Sequence, residues 1–317
     1  MIFPLKNIPP RQLVGGVIAS LLDLVGGTPL LSLNRLLGAA RDVRLLAKAE
    51  HLNPGGSVKD RAARAMLLEG LDSGRLKPGK TIIDATSGNT GISLAMMGAH
   101  LGYEVILYLP ANANRERKAL IRLHGASIVE TDPLESSDGA YLAVIAEIGQ
   151  NGEKYFFPDQ YNNRFNSLAH YQTTALEILE QTGGDLTHFV CAMGTSGTFM
   201  GTARRLGEAA PNVRRLAVQP DSPIHAIEGV KHMASTIRPG IYDEKLIDET
   251  VTVSTLEAWR MTRLLAKQYG LLVGVSSGAN VAAAIKVASD LPAGSTVVTI
   301  LADSGTRYLG EAFWSED

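Results

Sequence analysis

Two loops in the sequence gather the residue types that bind anions. Met193-Gly194-Thr195-Ser196-Gly197-Thr198 lies between an apolar run, His188–Met193, and a helix-like stretch from about Phe199. Glycines let successive N–H groups converge, Thr and Ser hydroxyls add donors, and a helix N-terminus adds positive potential. Such a loop suits a phosphate, or is a tight turn capped by Ser and Thr. It is not a nucleotide P-loop, because GxxxxGK[ST] is absent, and the spacing Gly194, Gly197, Gly201 does not give GxGxxG. Thr86-Ser87-Gly88-Asn89-Thr90-Gly91 repeats the same chemistry, suited to a carboxylate or phosphate, or to plain helix capping. Two such loops in one chain point to a ligand with two anionic ends, or to a phosphorylated cofactor beside a carboxylate substrate. A further segment, Val273-Gly274-Val275-Ser276-Ser277-Gly278-Ala279-Asn280, is a helix entry. Its serine either caps that helix or presents a hydroxyl to a heterocycle nitrogen.

A lysine completes the set. In Asn53-Pro54-Gly55-Gly56-Ser57-Val58-Lys59-Asp60-Arg61 a Pro-Gly-Gly turn runs into a helix, with Lys59 on its first turn. Helix N-termini favour anions, so a lysine there is electrostatically misplaced. The same potential, with burial, lowers the amine's pKa and favours the neutral, nucleophilic form. The plain alternative is a surface lysine paired with Asp60.

The elements that position these loops follow from hydrophobic patterning. Thr81–Ala85, Glu104–Pro110, Ser127–Thr131, His188–Met193, Arg215–Gln219 and Thr296–Ala302 read as strands. Helices are expected at Ile92–Leu101, Arg115–His124, Ala140–Ile148, Ser167–Gln181, Leu256–Tyr269 and Asn280–Ser289. Strands alternating with helices imply right-handed crossovers and mostly parallel sheets covered on both faces. Ligands in such sheets sit beyond the carboxyl ends of strands, where both loops fall. The stretch Tyr155–Phe165, rich in Asn and aromatics, is the expected seam between two lobes.

Composition narrows the function classes. The 317 residues carry 30 Lys+Arg against 32 Asp+Glu, a net −2, which gives no footprint for nucleic acid or an anionic membrane. Cys191 is the only cysteine, so no intramolecular disulfide and no Cys-rich zinc site can form, and a reducing, cytoplasmic setting is expected. The seven histidines show no HExxH pair, and no metal site is expected. Lys6 and Arg11 precede an apolar run from Leu13 to Leu22 that loosely imitates a signal peptide. That run contains Gly15-Gly16, ends at Asp23 and is far shorter than the ~20 residues of a membrane span. It is read as an amphipathic arm, residues 1–19, packed on the body or on a second subunit.

The motifs GSVKDR at 56–61, TSGNTGISLA at 86–95, GTSGT at 194–198 and GVSSG at 274–278 occur in an order and spacing that resemble a known family. It is the fold-type II pyridoxal-phosphate enzymes, specifically the cysteine synthase (O-acetylserine sulfhydrylase) and cystathionine β-synthase branch. Similarity runs from about Ser20 to Tyr308. NPGGSVKDRAA, the Arg115–Lys118 cluster and QTGGDLTHFV at 181–190 resemble the B type of cysteine synthase, while Asp303–Tyr308 resembles the D-S-x-R-x-Y end of cystathionine β-synthase. The resemblance implies an α/β fold of two lobes, each with a mostly parallel twisted sheet flanked by helices. The catalytic module would span 20–310, with a smaller lobe of about 58–160 and a larger lobe of about 20–57 plus 161–310.

The resemblance also assigns roles. Lys59 would hold pyridoxal 5'-phosphate covalently and later move the Cα proton. Asn89 would meet the cofactor's ring hydroxyl, Gly194, Thr195, Ser196, Gly197 and Thr198 its phosphate, and Ser276 its pyridine nitrogen. Thr86, Ser87, Asn89, Thr90 and Gln160 would hold the substrate carboxylate. The reaction implied is β-replacement of O-acetylserine or O-phosphoserine by a sulfide donor, in a homodimer acting on small molecules. The alternatives are condensation of serine or activated serine with homocysteine, or a non-catalytic partner-binding relative. Two departures stand out. The family's usual GNTP is Gly26-Gly27-Thr28-Pro29 here. Within Ser222–Met233, where relatives select substrate, Lys231 stands where some B-type enzymes carry an arginine that meets an anionic group. Lys231 is thus either a phosphoserine contact or a solvated lysine.

Overall fold

The computed structural model describes residues 13–14, 17–38, 42–86 and 88–315. Of the expected arm, β1 (Leu13–Val14) and β2 (Val17–Ile18) pair as an antiparallel hairpin, and residues 1–12, 15 and 16 lie outside the described residues. The chain then runs through β3 (Leu30–Ser32), β4 (Arg44–Lys48), α1 (Lys59–Asp72), β5 (Thr81–Ala85), α2 (Asn89–Leu101), β6 (Val105–Pro110) and α3 (Arg115–Leu123). Next come β7 (Ser127–Thr131), α4 (Ser136–Asn151), β8 (Tyr155–Phe156), α5 (Arg164–Ala169) and α6 (Ala175–Thr182). The last elements are β9 (His188–Ala192), α7 (Gly197–Ala209), β10 (Arg214–Pro220), β11 (Glu249–Val253), α8 (Thr255–Tyr269), α9 (Val275–Ser289) and β12 (Thr296–Ile300).

Two sheets result. The smaller has the order β7-β6-β5-β8 and is wholly parallel. The larger has the order β11-β10-β9-β12-β4-β3, parallel except for β3 against β4. β5 (TIIDA) and β12 (TVVTI) are buried at every position. This is the continuous apolar run expected of parallel strands covered on both faces. Separate apolar cores fill the two faces of each sheet, the largest between the six-stranded sheet and α8 and α9. Helix starts follow local chemistry: Asn114 caps α3, and Ser254 with Glu257 forms a capping box on α8. No helix among the described residues is long and apolar enough to cross a membrane.

Several expectations shift. Tyr155–Phe156 opens the supposed loop as an edge strand of the smaller sheet. The expected helix 167–181 runs from 164 to 182, but a π turn, His170–Thr174, interrupts it. Ser276 lies inside α9, which begins five residues before the expected Asn280. β3, β4 and β11 have no counterpart among the expected strands.

Candidate active site

The six-stranded sheet opens at one point. β9 and β12 are neighbours but pair only through Val297–His188 and Val298–Phe189. From β9 the chain turns outward to β10 and β11, then returns as β12 on the other side. Such a reversal leaves a crevice at the carboxyl ends of the strands. Asn280 of α9 spans it, accepting from Ala192 N at 2.7 Å and donating to the Ile300 carbonyl at 2.8 Å. A cavity of about 160 Å³ opens there. Lys59, Thr86, Asn89, Thr90, Gln160, Ser276 and the whole of loop 194–198 line it. Ser87 lies outside the described residues.

Loop 194–198 joins β9 to α7. Ser196 has φ +69°, the left-handed region, and its buried hydroxyl has no partner among the described residues. A buried, unsatisfied hydroxyl in a strained turn marks a place shaped for a ligand. The flanking glycines are forced by close approach: a Cβ at Gly194 would lie 2.4 Å from the Gly229 carbonyl, and one at Gly197 1.9 Å from Asn166 Oδ1. Asn166 steadies the loop by donating to Thr195 Oγ1 at 3.0 Å and to the Gln160 carbonyl at 2.7 Å. Thr198 contacts His170 Nε2 at 3.3 Å, while Nδ1 of that imidazole meets Thr174 in the π turn. Burial first, then the nearby Arg61, pushes His170 down to about 3, so it is a neutral strut. Converging N–H groups, a free hydroxyl and the first turn of a 13-residue helix form a cradle that fits a phosphate.

Lys59 is the first residue of α1 and faces the same cavity. Burial pushes its amine below the ordinary lysine range, against the pull of the Asp303 carboxylate. None of the described residues hydrogen-bonds its Nζ. The residue two further on explains why the helix start is rigid. Arg61 forks onto Glu50 (2.7 Å) and Glu177 (2.6 and 2.8 Å), and Lys48 meets Glu177 at 2.7 Å, all beneath the turn. Despite complete burial, Arg61 foremost holds Glu50 at about 2. Removing one partner of such a cluster costs about 3–5 kcal/mol.

The loop joining β5 to α2 is arranged differently. Thr86 Oγ1 accepts from Gly88 N at 2.9 Å and Gly91 N at 3.2 Å, leaving its own hydrogen to donate. Thr90 donates to Gln160 Oε1 at 2.8 Å, and Gln160 Nε2 donates to the Ala85 carbonyl at 2.7 Å. The Asn89 amide is held at both ends, donating to Asp303 Oδ2 at 2.7 Å and accepting from Arg307. The hydroxyl of Ser276, in the first turn of α9, makes no hydrogen bond to the described residues.

Lys231 is not solvated. It is 8% exposed, pairs with Asp138 at 2.6 Å and lies over the Tyr161 ring. Arg117, also in the lining, pairs with Glu228 and lies over Tyr308. Cys191 lines the cavity too, but burial pushes its thiol up to about 12, which makes it a poor nucleophile. Asp303, Arg307 and Asn166 were not singled out by the sequence for any role. Their one signal is position: Asp303 and Arg307 fall within the family-like end at 303–308.

Comparison with known proteins identifies the family of the chain. The profile of the family described as pyridoxal-phosphate dependent enzyme matches residues 21–303. The chain is 48% identical over 302 residues to a cysteine synthase of Aquifex aeolicus, covering 94% of this chain and 92% of that one. It is 41% identical over 298 residues to cysteine synthase B of Salmonella typhimurium, covering 94% and 97%. Among solved structures, the cysteine synthase (OASS) of Entamoeba histolytica is similar with a TM-score of 0.89 and 34% identity, covering 100% of this chain and 94% of that one.

Proposed function

The chain belongs to the pyridoxal-phosphate-dependent enzymes, and from that premise we propose that it is a cysteine synthase, replacing the acetoxy group of O-acetylserine with sulfide to give L-cysteine. One observation carries the reading. A buried amine on the first turn of a helix shares a cavity with a glycine-walled cradle whose serine hydroxyl has no partner among the described residues. These residues fit a phosphorylated aldehyde with a pyridine ring. Gly194, Thr195, Ser196, Gly197 and Thr198 would hold the phosphate, Lys59 the carbonyl carbon, Asn89 the ring hydroxyl and Ser276 the ring nitrogen. When bound, pyridoxal phosphate supplies an electron sink for charge developing at the substrate Cα.

The chain's own residues do the rest. Thr86, Ser87, Asn89, Thr90 and Gln160 would orient the substrate carboxylate at the start of α2, where helix potential favours an anion. Lys59, whose amine burial pushes below the ordinary lysine range, would take the Cα proton on its Nζ and later return it to the same carbon. Between those transfers acetate leaves with the Cβ–O electron pair, and sulfide brings the pair for the new C–S bond. A hydroxyl at Ser276 does not force the ring nitrogen to be protonated, which suits elimination chemistry. Lys231 and Arg117 already neutralise Asp138 and Glu228, which favours the uncharged acetyl donor over O-phosphoserine.

The test is spectroscopic and chemical. O-acetylserine, O-phosphoserine and serine are each added to the yellow holoenzyme without a thiol, and products are then assayed with sulfide and with homocysteine. A spectral change with O-acetylserine followed by cysteine on adding sulfide is expected. Cystathionine as the main product would favour the homocysteine reading, and a protein that never binds the cofactor would favour a partner-binding one. A homodimer, a cytoplasmic location and the division into lobes of about 58–160 and 20–57 plus 161–310 belong to the same proposal. The four-stranded sheet, built from residues between 81 and 156, supports the division. Sedimentation of the purified protein checks the dimer.

A further inference from the structure

Asp303 is a fully buried carboxylate beside the candidate site that none of the assigned roles uses. It sits in the turn after β12, stitched to the residues just ahead of Lys59. Val58 N donates to the Ala302 carbonyl, and Ser304 N to the Gly56 carbonyl. Its Oδ2 accepts from Tyr308 Oη at 2.6 Å and from Asn89 Nδ2 at 2.7 Å. Oδ1 has no partner among the described residues and rests on Gly274, where a Cβ would lie 2.1 Å away. Arg307 completes the arrangement by donating to Asn89 Oδ1 and to the Gly55 carbonyl. A buried carboxylate with one oxygen unsatisfied is unfavourable unless its charge serves a purpose.

The arrangement fixes the Asn89 amide in one orientation. Only its Nδ2 can donate to a carboxylate, and only its Oδ1 can accept from a guanidinium. One Nδ2 hydrogen goes to Asp303, which leaves the other for a ring oxygen.

We propose that Asp303 is a positioning residue for the reaction: it locks the Asn89 amide and supplies the negative charge that favours the cationic form of the nitrogen at Lys59. The inference rests on Lys59 being the residue that takes the cofactor. A carbon attached to that nitrogen is attacked by an amino-acid amine far more readily while the nitrogen is positive. The other titratable groups facing Lys59 are neutral near pH 7: the Cys191 thiol of β9, and His170 of the π turn. Asp303 also faces His51, whose imidazole burial holds below its ordinary range, and the Tyr308 phenol, which burial pushes up. Two cations oppose it: Arg307 through Asn89, and Arg117 across the Tyr308 ring at 4.7 Å. Asp60, pushed up to about 6 by burial, is tied to Ser93 and Gly55 N and feels the Arg307 charge.

The experiment follows the visible absorbance of the loaded holoenzyme from pH 5 to 11. Asp303→Asn keeps the shape and an acceptor for Asn89 but removes the charge. It should lower the midpoint of the spectral titration by about one unit, a tenfold loss of proton affinity. A wild-type band constant across the range, with an Asp303→Asn band that titrates inside it, is the same result. Arg307→Gln removes an opposing cation and should raise the midpoint or keep the band constant to higher pH. A merely structural role would shift both variants together or neither. A folded Asp303→Asn protein that titrates like wild type overturns the inference, as does a same-direction shift in the two variants. If Asp303→Asn does not fold, a midpoint lowered by Arg307→Gln overturns it. A band that survives Lys59→Ala with its pH dependence intact overturns the Lys59 reading instead.

Discussion

The two Gly/Ser/Thr loops are near twins in composition and opposites in state. Loop 194–198 is strained and unsatisfied: Ser196 is left-handed, its hydroxyl bonds to none of the described residues, and its glycines are wedged against Gly229 and Asn166. The loop beginning at Thr86 satisfies itself. Thr86 accepts from two backbone N–H groups, Thr90 is bonded to Gln160, and Asn89 is held by Asp303 and Arg307. Under the proposed assignment, the difference matches how long each ligand would stay. A cradle for a permanently bound phosphate can leave its donors waiting, because that ligand is almost always there. A loop that meets substrate once per turnover must be stable while empty, so it trades internal hydrogen bonds for those of the carboxylate.

The largest effect that would sharpen this division is at the lysine between the loops. Lys59→Ala should lower cysteine formation by at least about 10³-fold, the upper part of the range for losing an acid–base group. The cofactor should still co-elute with the protein on gel filtration, held by loop 194–198 alone. Loss of all binding would mean that the cradle does less than its geometry suggests. Next in size is Gly197→Ala, whose methyl would collide with Asn166 Oδ1. Overpacking of ~1–3 kcal/mol corresponds to a cofactor Kd raised by about 5- to 150-fold. KM for O-acetylserine, measured on the loaded fraction, should change by less than about twofold, because an effect of ~0.4 kcal/mol or less is the limit of independence between separate sites.

How much of this was legible in the sequence depends on whether the cause was local. TIIDA and SIVET declare their strands at the observed bounds, 81–85 and 127–131, and Lys59 reads as first-turn from the Pro-Gly-Gly turn ahead of it. β4 was missed because its five residues, Arg44–Lys48, end in a lysine that reads as exposed. Lys48 is buried, and its amine meets Glu177 and Gln181, at least 129 positions later. Lys231 and Asp138 are likewise joined across 93 positions, so the sequence leaves only a phosphoserine contact or a solvated lysine to choose between. Ser276 reads as a candidate cap of its helix, yet Gly274 holds that place, and Gly274 and Gly278 are packing sites against Asp303 and Thr262. Local chemistry marked groups that line the cavity, and only the fold could reveal the groups that hold them in place.

Thr90→Val breaks the comparison from the substrate side. It removes the donor to Gln160 and leaves a buried acceptor unpaired, a cost of ~1–3 kcal/mol. KM for O-acetylserine should rise about tenfold, equivalent to ~1.4 kcal/mol, with cofactor affinity unchanged. Steady-state kinetics and a cofactor titration on one preparation separate the two. A matched loss of cofactor affinity would mean that the loops are one site, not two.

The smallest expected effects compare the loops without any ligand. Ser196→Ala deletes a hydroxyl that bonds to none of the described residues, so the apo protein should change in stability by no more than about 0.5 kcal/mol. Thr86→Val deletes an acceptor shared by two backbone N–H groups and keeps the side-chain shape, so it should destabilise the same apo protein by ~1–3 kcal/mol. At this chain length the second change corresponds to roughly 2–5 °C in Tm, and the first to a shift near the limit of measurement. The order should reverse when the melts are repeated with saturating cofactor. Ser196→Ala would then forfeit part of the ligand's stabilisation, whereas Thr86→Val would show the same deficit as before. Equal apo losses in the two variants would mean that Ser196 is satisfied in solution, and the contrast between a waiting loop and a self-satisfied one would fall.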